Sequence, residues 1–363
     1  MAVKNSKQPD YAYSGQKIFW HGEKLRALAE GRVTAPVYVR VKPTNRCNHR
    51  CFYCSYQEDK RLVTTEGMNP KDEIPFEKLC EVLDDFRDMG VKAVTYSGGG
   101  EPLIYPRVAE VLRRTLDYGI NLSVITNGSR LDGEIAEALA QAHWVRVSLD
   151  SVDAAKYAQI RQVSEKELPK ILGNIRRFAA AKRPGCELGV NFVICDRNAD
   201  EVYEACRVIR DCGANHVKLT ARNTPDFHAD HEPFKARVIG QIRRAKTELP
   251  TESFRVHSVY EEDFLYAGVY QRPYSFCAIM QTVPVIGADS RVYFCHDTTY
   301  TKSGEAGSIA EQSFKQMWFS EETRERFRSF DARAECCHHC TYDARNMAIN
   351  DFLATWSEHV NFV

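Results

Sequence analysis

Between residues 37 and 220 the chain alternates two patterns of apolar and polar positions. Short β-branched or apolar runs fall at 37–41, 93–97, 121–126, 144–149, 188–194 and 216–220, and Gly, Asn or Asp follows each within a few residues. Between them, 76–89, 107–118, 133–141, 168–182 and 200–212 repeat their apolar residues at helical spacing. Repeated βα units give a parallel sheet with right-handed crossovers. Six such units predict an α/β chain built on a partial (β/α)6, TIM-like barrel, with functional residues at the C-terminal ends of its strands. A further helix is expected over 233–249, and a short one over 16–30, where Ile18, Phe19, Leu25, Leu28 and Ala29 are apolar. From about 251 the rhythm changes. Runs at 283–286 and 291–294 flank Gly287-Ala288-Asp289-Ser290 and read as a hairpin in a small α+β unit. The expected organisation is a helical extension over 1–36, the barrel over 37–250, and a C-terminal unit with a last helix over 251–363.

Composition narrows the function classes. The 363 residues are 44% hydrophobic and 27% charged, enough for a large core under a polar surface. Forty-nine basic residues balance forty-nine acidic ones, so net charge makes no case for nucleic acid or an anionic membrane. Residues 1–13 are polar and lack the apolar centre of a signal peptide, and no run approaches the roughly 20 apolar residues that cross a bilayer. Thirteen cysteines in such a chain imply a reducing, cytoplasmic setting in which thiols serve metals rather than disulfides. Phosphate-loop, nucleophile-elbow and zinc-helix motifs are absent, as are repeats.

The candidate chemistry begins directly after the first strand, at Cys47-Asn48-His49-Arg50-Cys51-Phe52-Tyr53-Cys54. Three thiols spaced C-x3-C-x2-C converge on one soft-metal centre. A structural zinc wants four protein ligands, and His49 is the one local candidate for the fourth. A 4Fe–4S cluster held by three Cys keeps one iron open, which suits a catalytic role. This motif resembles the signature of the radical S-adenosylmethionine (SAM) superfamily. The resemblance implies a cluster on Cys47, Cys51 and Cys54 whose open iron binds SAM. It also implies reductive cleavage of SAM to a 5′-deoxyadenosyl radical that abstracts a substrate hydrogen.

Residues at later strand ends extend the resemblance. Ser97-Gly98-Gly99-Gly100-Glu101-Pro102 is similar to the family's glycine-rich turn, in which Gly98, Gly99, Gly100 and Glu101 would hold the SAM amino group. Thr126 and Asn127, then Ser148 and Asp150, match positions that line the SAM site. Tyr53 would lie beside the adenine, with Asn191 and Val193 flanking the nucleoside. Arg161 resembles an arginine that reaches the SAM carboxylate or the substrate; a plain surface arginine is the alternative. The run Thr220 to His231 reads as a polar rim loop from which Arg222 and His228 would contact substrate, solvation being the alternative.

The remaining chemistry gathers late. Cys277, Cys295, and Cys337 with Cys340 from Cys336-Cys337-His338-His339-Cys340 resemble the ligand set of a twitch domain, a shortened relative of the SPASM domain that holds one auxiliary 4Fe–4S cluster. Cys336 is the alternative to Cys337, and zinc the alternative to the cluster. The chain departs from SPASM in having Ser290 where a Gly is expected and no cysteine after Cys340. Cys80, Cys186, Cys195, Cys206 and Cys212 read as small buried hydrophobes. The pattern is most similar to dehydrogenases of the 2-deoxy-scyllo-inosamine type. The resemblance therefore implies a radical SAM oxidoreductase that dehydrogenates a small polar molecule such as a sugar or cyclitol. A flavodoxin or ferredoxin would supply electrons. A peptide-modifying maturase and an epimerase are the competing readings, and a non-catalytic iron–sulfur or zinc scaffold is a third.

Overall fold

The computed structural model describes residues 14–56, 67–224, 226–266, 271–336 and 340–355. Six strands carry the barrel: β1 (Tyr38–Val41), β2 (Ala93–Tyr96), β3 (Asn121–Thr126), β4 (Trp144–Ser148), β5 (Glu187–Ile194) and β6 (His216–Ala221). They pair in chain order, all parallel. The helices of this part are α1 (Gly22–Ala29), α2 (Phe76–Met89), α3 (Val108–Asp117), α4 (Gly133–Leu139), α5 (Ala154–Arg161), α6 (Glu167–Ala181), α7 (Val202–Asp211) and α8 (Phe227–Glu248).

The alternation along each strand explains the architecture. Val39, Val41, Val145, Val147, Val217 and Leu219 are wholly buried under the helices. The residues between them, Arg40, Arg146, Ser148 and Lys218, are half-buried and face the barrel interior. α2 shows the matching helical logic. Leu79, Val82, Leu83 and Phe86 repeat at three- and four-residue spacing and are fully buried. Each contributes about 1.5–3 kcal/mol of burial. The helix stops at Gly90, whose φ of 77° is a left-handed cap.

A seventh strand, β7 (Arg255–Ser258), lies past residue 250 and pairs parallel with β6. At the other edge the expected hairpin forms β8 (Val285–Ile286) and β9 (Arg291–Tyr293), extended by β10 (Glu305–Ser308). β8 runs parallel to β1, so one ten-stranded sheet has the order β10-β9-β8-β1-β2-β3-β4-β5-β6-β7. Ser290, where the resemblance expects a Gly, takes φ 60°, the left-handed region that Gly adopts at least cost. The C-terminal unit adds α9 (Tyr260–Tyr266), α10 (Ile279–Thr282), α11 (Phe314–Trp318), α12 (Glu321–Ser329), α13 (Ala332–Glu335) and α14 (Asp343–Ala354). No helix among the described residues is long and apolar enough to cross a membrane.

Two expectations need correction. The run expected as a polar loop to His231 is helical from Phe227, and α8 continues through Pro233. Phe227 and His231 are buried there, stacked at 4.6 Å between ring centroids, and His231 bonds Tyr260 and the Arg222 carbonyl. Aromatic packing thus overrides the loop-like composition. The single helix expected over 16–30 is a 3₁₀ segment, Gly15–Trp20, followed by α1.

Candidate active site at the strand ends

The cysteine loop is pinned at three places by neighbouring elements. Its start docks on the glycine turn, where Gly100 N–H donates to the Thr44 carbonyl (3.1 Å) and Glu101 N–H to the Arg46 carbonyl (2.8 Å). A Cβ on Gly99 would lie 1.9 Å from Asn45 Oδ1, and one on Gly100 would lie 1.8 Å from the Arg46 oxygen. Only glycine allows that approach. The middle is held by Asn48, which donates to Ser129 Oγ and accepts from Asn127 Nδ2, both at 2.8 Å. The far side rests on α5, where Arg50 and Phe52 N–H donate to the Arg161 and Ile160 carbonyls (3.0 Å each).

The expected site residues fall into two bonded groups. In the first, the Glu101 carboxylate is buried and accepts from Thr126 Oγ1 (2.6 Å), Asn127 N–H (2.7 Å) and Leu103 N–H (3.0 Å). Burial pushes this carboxyl up, and those three donors pull it back. Its oxygens therefore tie β2 to β3. Ser97 Oγ, just before Gly98, is buried at the same strand end and has no hydrogen-bond partner among the described residues. In the second, Asp150 is fully buried between Arg161, which pairs with Oδ2, and Tyr53, whose hydroxyl donates to the same oxygen. Val193 N–H donates to Oδ1 at 3.1 Å. Burial opposes the Arg161 cation, but Asp150, Cys51 and Tyr53 hold its pKa above the ordinary value. Arg161 Nη1 stands 3.4 Å from Cys51 Sγ. Ser148 and Asn191 are paired in register on the inner face.

The outer candidates separate. The Arg222 guanidinium lies 4.7 Å over the Phe52 ring, and that of Arg197 lies 3.9 Å over it, so both brace the cysteine loop. His228 is exposed on α8 and meets Phe227 and Phe264 instead, away from both groups. His49 is buried against Tyr157, with burial, Arg161 and Lys170 lowering its pKa to about 3. A groove of about 750 Å³ beside Asn48, between α3 and α4, holds none of the other strand-end residues and lies outside the barrel.

Sequence reasoning passed over Lys42, Asn45 and Tyr300. Lys42 is fully buried, donates to Tyr56 Oη (2.8 Å), and lies over the Tyr56 and Tyr300 rings. Tyr300 donates to Asn45 Oδ1 (2.5 Å), joining the C-terminal unit to the root of the cysteine loop. The strict alternation of Tyr38-Val39-Arg40-Val41-Lys42 was the available signal for Lys42.

In the C-terminal unit, one small cavity is lined by Cys277, Cys295, Cys336 and Cys340, together with Arg272 and Asp297. Cys337, the expected ligand, lies outside the described residues. Burial pushes Cys295 up to about 12 and Cys336 up to about 11, so thiolates there need a cationic centre as partner. Among the described residues no three His, Cys, Asp or Glu side chains close to metal-ligand distance. The fit to iron–sulfur clusters therefore rests on the donors themselves: thiols without disulfides, gathered on a pinned loop and in a buried cavity.

Comparison with known proteins agrees with this geometry. The profile of the radical SAM superfamily matches residues 41–209. A probable GTP 3',8-cyclase of Methanothermobacter marburgensis is 30% identical over 221 residues, 58% of this chain and 68% of that protein. The chain belongs to the radical SAM superfamily. Its C-terminal unit matches the SPASM iron–sulfur cluster-binding domain over residues 277–341. A GTP 3',8-cyclase of Lactiplantibacillus plantarum is 33% identical over 183 residues, 49% of this chain and 52% of that one. The chain spans about half the length of the curated relatives it matches. In fold it is similar to Streptococcus suis SuiB bound to precursor peptide SuiA, at TM-score 0.60, 15% identity, 91% of this chain and 75% of that one. It is also similar to anSMEcpe with bound AdoMet, at TM-score 0.57, 14% identity, 88% of this chain and 97% of that one. A radical SAM enzyme of this build uses a 4Fe–4S cluster, SAM and additional iron–sulfur at the SPASM domain.

The cavity makes a specific prediction. Of Cys336→Ala and Cys337→Ala, the variant that removes the fourth ligand is expected to lower the iron of the anaerobically reconstituted radical SAM protein by about four per chain, while the other stays near the full complement of about eight. Iron analysis of both variants decides between the two thiols.

Proposed function

We propose that this radical SAM enzyme oxidises a small polar metabolite of the sugar or cyclitol class by two electrons. The observation that carries this reading is the inner face of the barrel. Barrels of this kind usually fill their interior with branched apolar side chains. Here the inward row presents Arg40, Thr95, Ser123, Arg146, Ser148, Asn191 and Lys218. Thr95 and Ser123 bond each other at 2.5 Å, and Tyr38 donates to Thr95 at 2.6 Å. With Thr95 and Ser123 bonded to each other, a hydroxylated ligand would meet the half-buried polar side chains of the row, Ser148 and Asn191 with Arg40, Arg146 and Lys218.

When bound, the cluster and SAM supply one-electron cleavage that removes a hydrogen atom from substrate, and the auxiliary iron–sulfur supplies a redox centre within the same chain. The chain's own residues provide position. The glycine turn, Asn48 and α5 hold the cysteine loop over the strand ends. The Tyr53–Asp150–Arg161 group fixes the wall beside Cys51. Arg161, an always-charged guanidinium, stabilises negative charge there and does not accept a proton. Converting CH–OH to C=O removes two hydrogens from substrate, one as an atom and the other as a proton and an electron. An external one-electron donor of the flavodoxin or ferredoxin type is part of this proposal.

A second reading is a mass-conserving rearrangement, favoured by the 30–34% identity to proteins named GTP 3',8-cyclase. Product mass separates the two. The protein, SAM and reductant are incubated with a panel of sugars, cyclitols and nucleotides, and 5′-deoxyadenosine identifies the substrate. A product two mass units lighter supports oxidation; a product of unchanged mass overturns it in favour of rearrangement or epimerisation.

A further inference from the structure

The last helix, α14, sends a polar side chain into the cysteine cavity of the C-terminal unit. Asn346 is buried there among the lining residues. Its amide can take only one orientation. Oδ1 accepts from the Ala278 N–H at 3.0 Å, which turns Nδ2 toward Cys277 Sγ at 3.3 Å and Tyr274 Oη at 3.4 Å. Tyr274 cannot reverse that direction, because its own proton goes to the Asp343 carboxylate. Asp343, one turn before Asn346 on α14, also lies 3.8 Å from Arg272 Nε, and Arg272 Nη1 donates to the Cys336 carbonyl. Tyr274, Asp343 and Asn346 are all buried, so bulk water does not compete for these bonds.

A second donor comes from the segment after β9. Thr298 is buried and places Oγ1 at 3.4 Å from Cys295 Sγ. A cysteine bound to iron is a thiolate with no proton to give, so Thr298 is the donor in the loaded site. Hydrogen bonds to the sulfurs are among the factors that set the potential of an iron–sulfur cluster. The reduced centre carries one more negative charge, partly on sulfur, so a donor stabilises it more than the oxidised one. Donors therefore raise the potential. A raised potential suits a centre that takes up an electron.

We propose that Asn346 and Thr298 are positioning residues that raise the reduction potential of the auxiliary iron–sulfur centre through Cys277 and Cys295, so that it accepts the substrate electron. After hydrogen-atom abstraction the substrate radical gives its proton to water and its electron to this centre, closing C=O. The test reads potentials and does not require turnover. Full-length protein loaded with both clusters is reduced stepwise at controlled potential, and each centre is followed by its paramagnetic resonance signal. Added SAM alters the signal of the centre on Cys47, Cys51 and Cys54, which tells the two apart. Asn346→Leu and Thr298→Val keep the side-chain size and remove the donor. Each is expected to make reduction of the auxiliary centre about tenfold less favourable, a fall of about 59 mV for one electron. The potential of the SAM-binding centre stays where it was, and Thr298→Ser, which keeps the hydroxyl, stays with the parent. Iron of about eight per chain confirms that a variant holds both clusters, and either loaded variant alone is decisive. An auxiliary potential equal to the parent's overturns the proposal, as does an equal fall at both centres. Zinc in place of iron at the second site overturns it too. The accepting role rests on the oxidation reading of the preceding section, whereas the shift in potential does not. A product of unchanged mass fails that reading and leaves the shift intact, so the two are separable.

Discussion

Replacing Cys47, Cys51 and Cys54 together with Ala is expected to abolish SAM cleavage while about four irons per chain remain after anaerobic reconstitution. The loop itself should survive. Its hold on the protein comes from Thr44, Arg46, Asn48, Arg50 and Phe52, through backbone and amide bonds that involve no sulfur. The residual iron would sit in the separate cavity of Cys277, Cys295 and Cys340. Formation of 5′-deoxyadenosine by the triple variant is the result that would sink the assignment of this loop as the catalytic centre.

The second large effect belongs to Asp150. Its carboxylate serves Arg161, Tyr53 and Val193 at once and is wholly inaccessible to solvent. Removing one partner of a buried ion pair leaves the other charge desolvated and unpaired, which costs about 3–5 kcal/mol. Asp150→Ala is therefore expected to lower the unfolding free energy by that amount. It should also loosen the cysteine loop, since Arg161 and Ile160 carry its far side. Asp150→Asn keeps the shape and should lose less. Denaturant unfolding of the two variants checks the order; equal stability to the parent protein would show that the pair is not what holds this wall.

Much of the barrel was legible because its strands and helices announce themselves by period. α2 begins and ends where the spacing of Leu79, Val82, Leu83 and Phe86 places it, and β3 runs over 121–126 as expected. β7 escaped because Arg-Val-His-Ser is short and polar and gains its strand form only by pairing with β6. The first turn of α8 escaped for a related reason. His228, Asp230 and Pro233 read as loop chemistry, while the burial of Phe227 and His231 against Tyr260 is invisible without the fold. In the site, the identities of Tyr53, Asp150 and Arg161 were readable but their shared bonding was not, because it joins the cysteine loop to the end of β4 and to α5, about a hundred residues further along the chain. Spacing favoured Cys337 over Cys336; Cys336 lines the cavity, and Cys337 lies outside the described residues.

The union of β8 with β1 reaches beyond geometry. Arg40 and Lys42 N–H donate to the carbonyls of Pro284 and Ile286, at 3.0 and 2.8 Å. A chain cut before residue 284 would bare that strand edge, with unpaired backbone donors and acceptors open to any neighbouring molecule. Self-association, rather than a well-behaved catalytic half, is the natural fate of such a fragment. The cluster-bearing tail is in that sense the barrel's guard against aggregation, and shuffling either half onto a foreign partner would have to replace that guard as well as the chemistry.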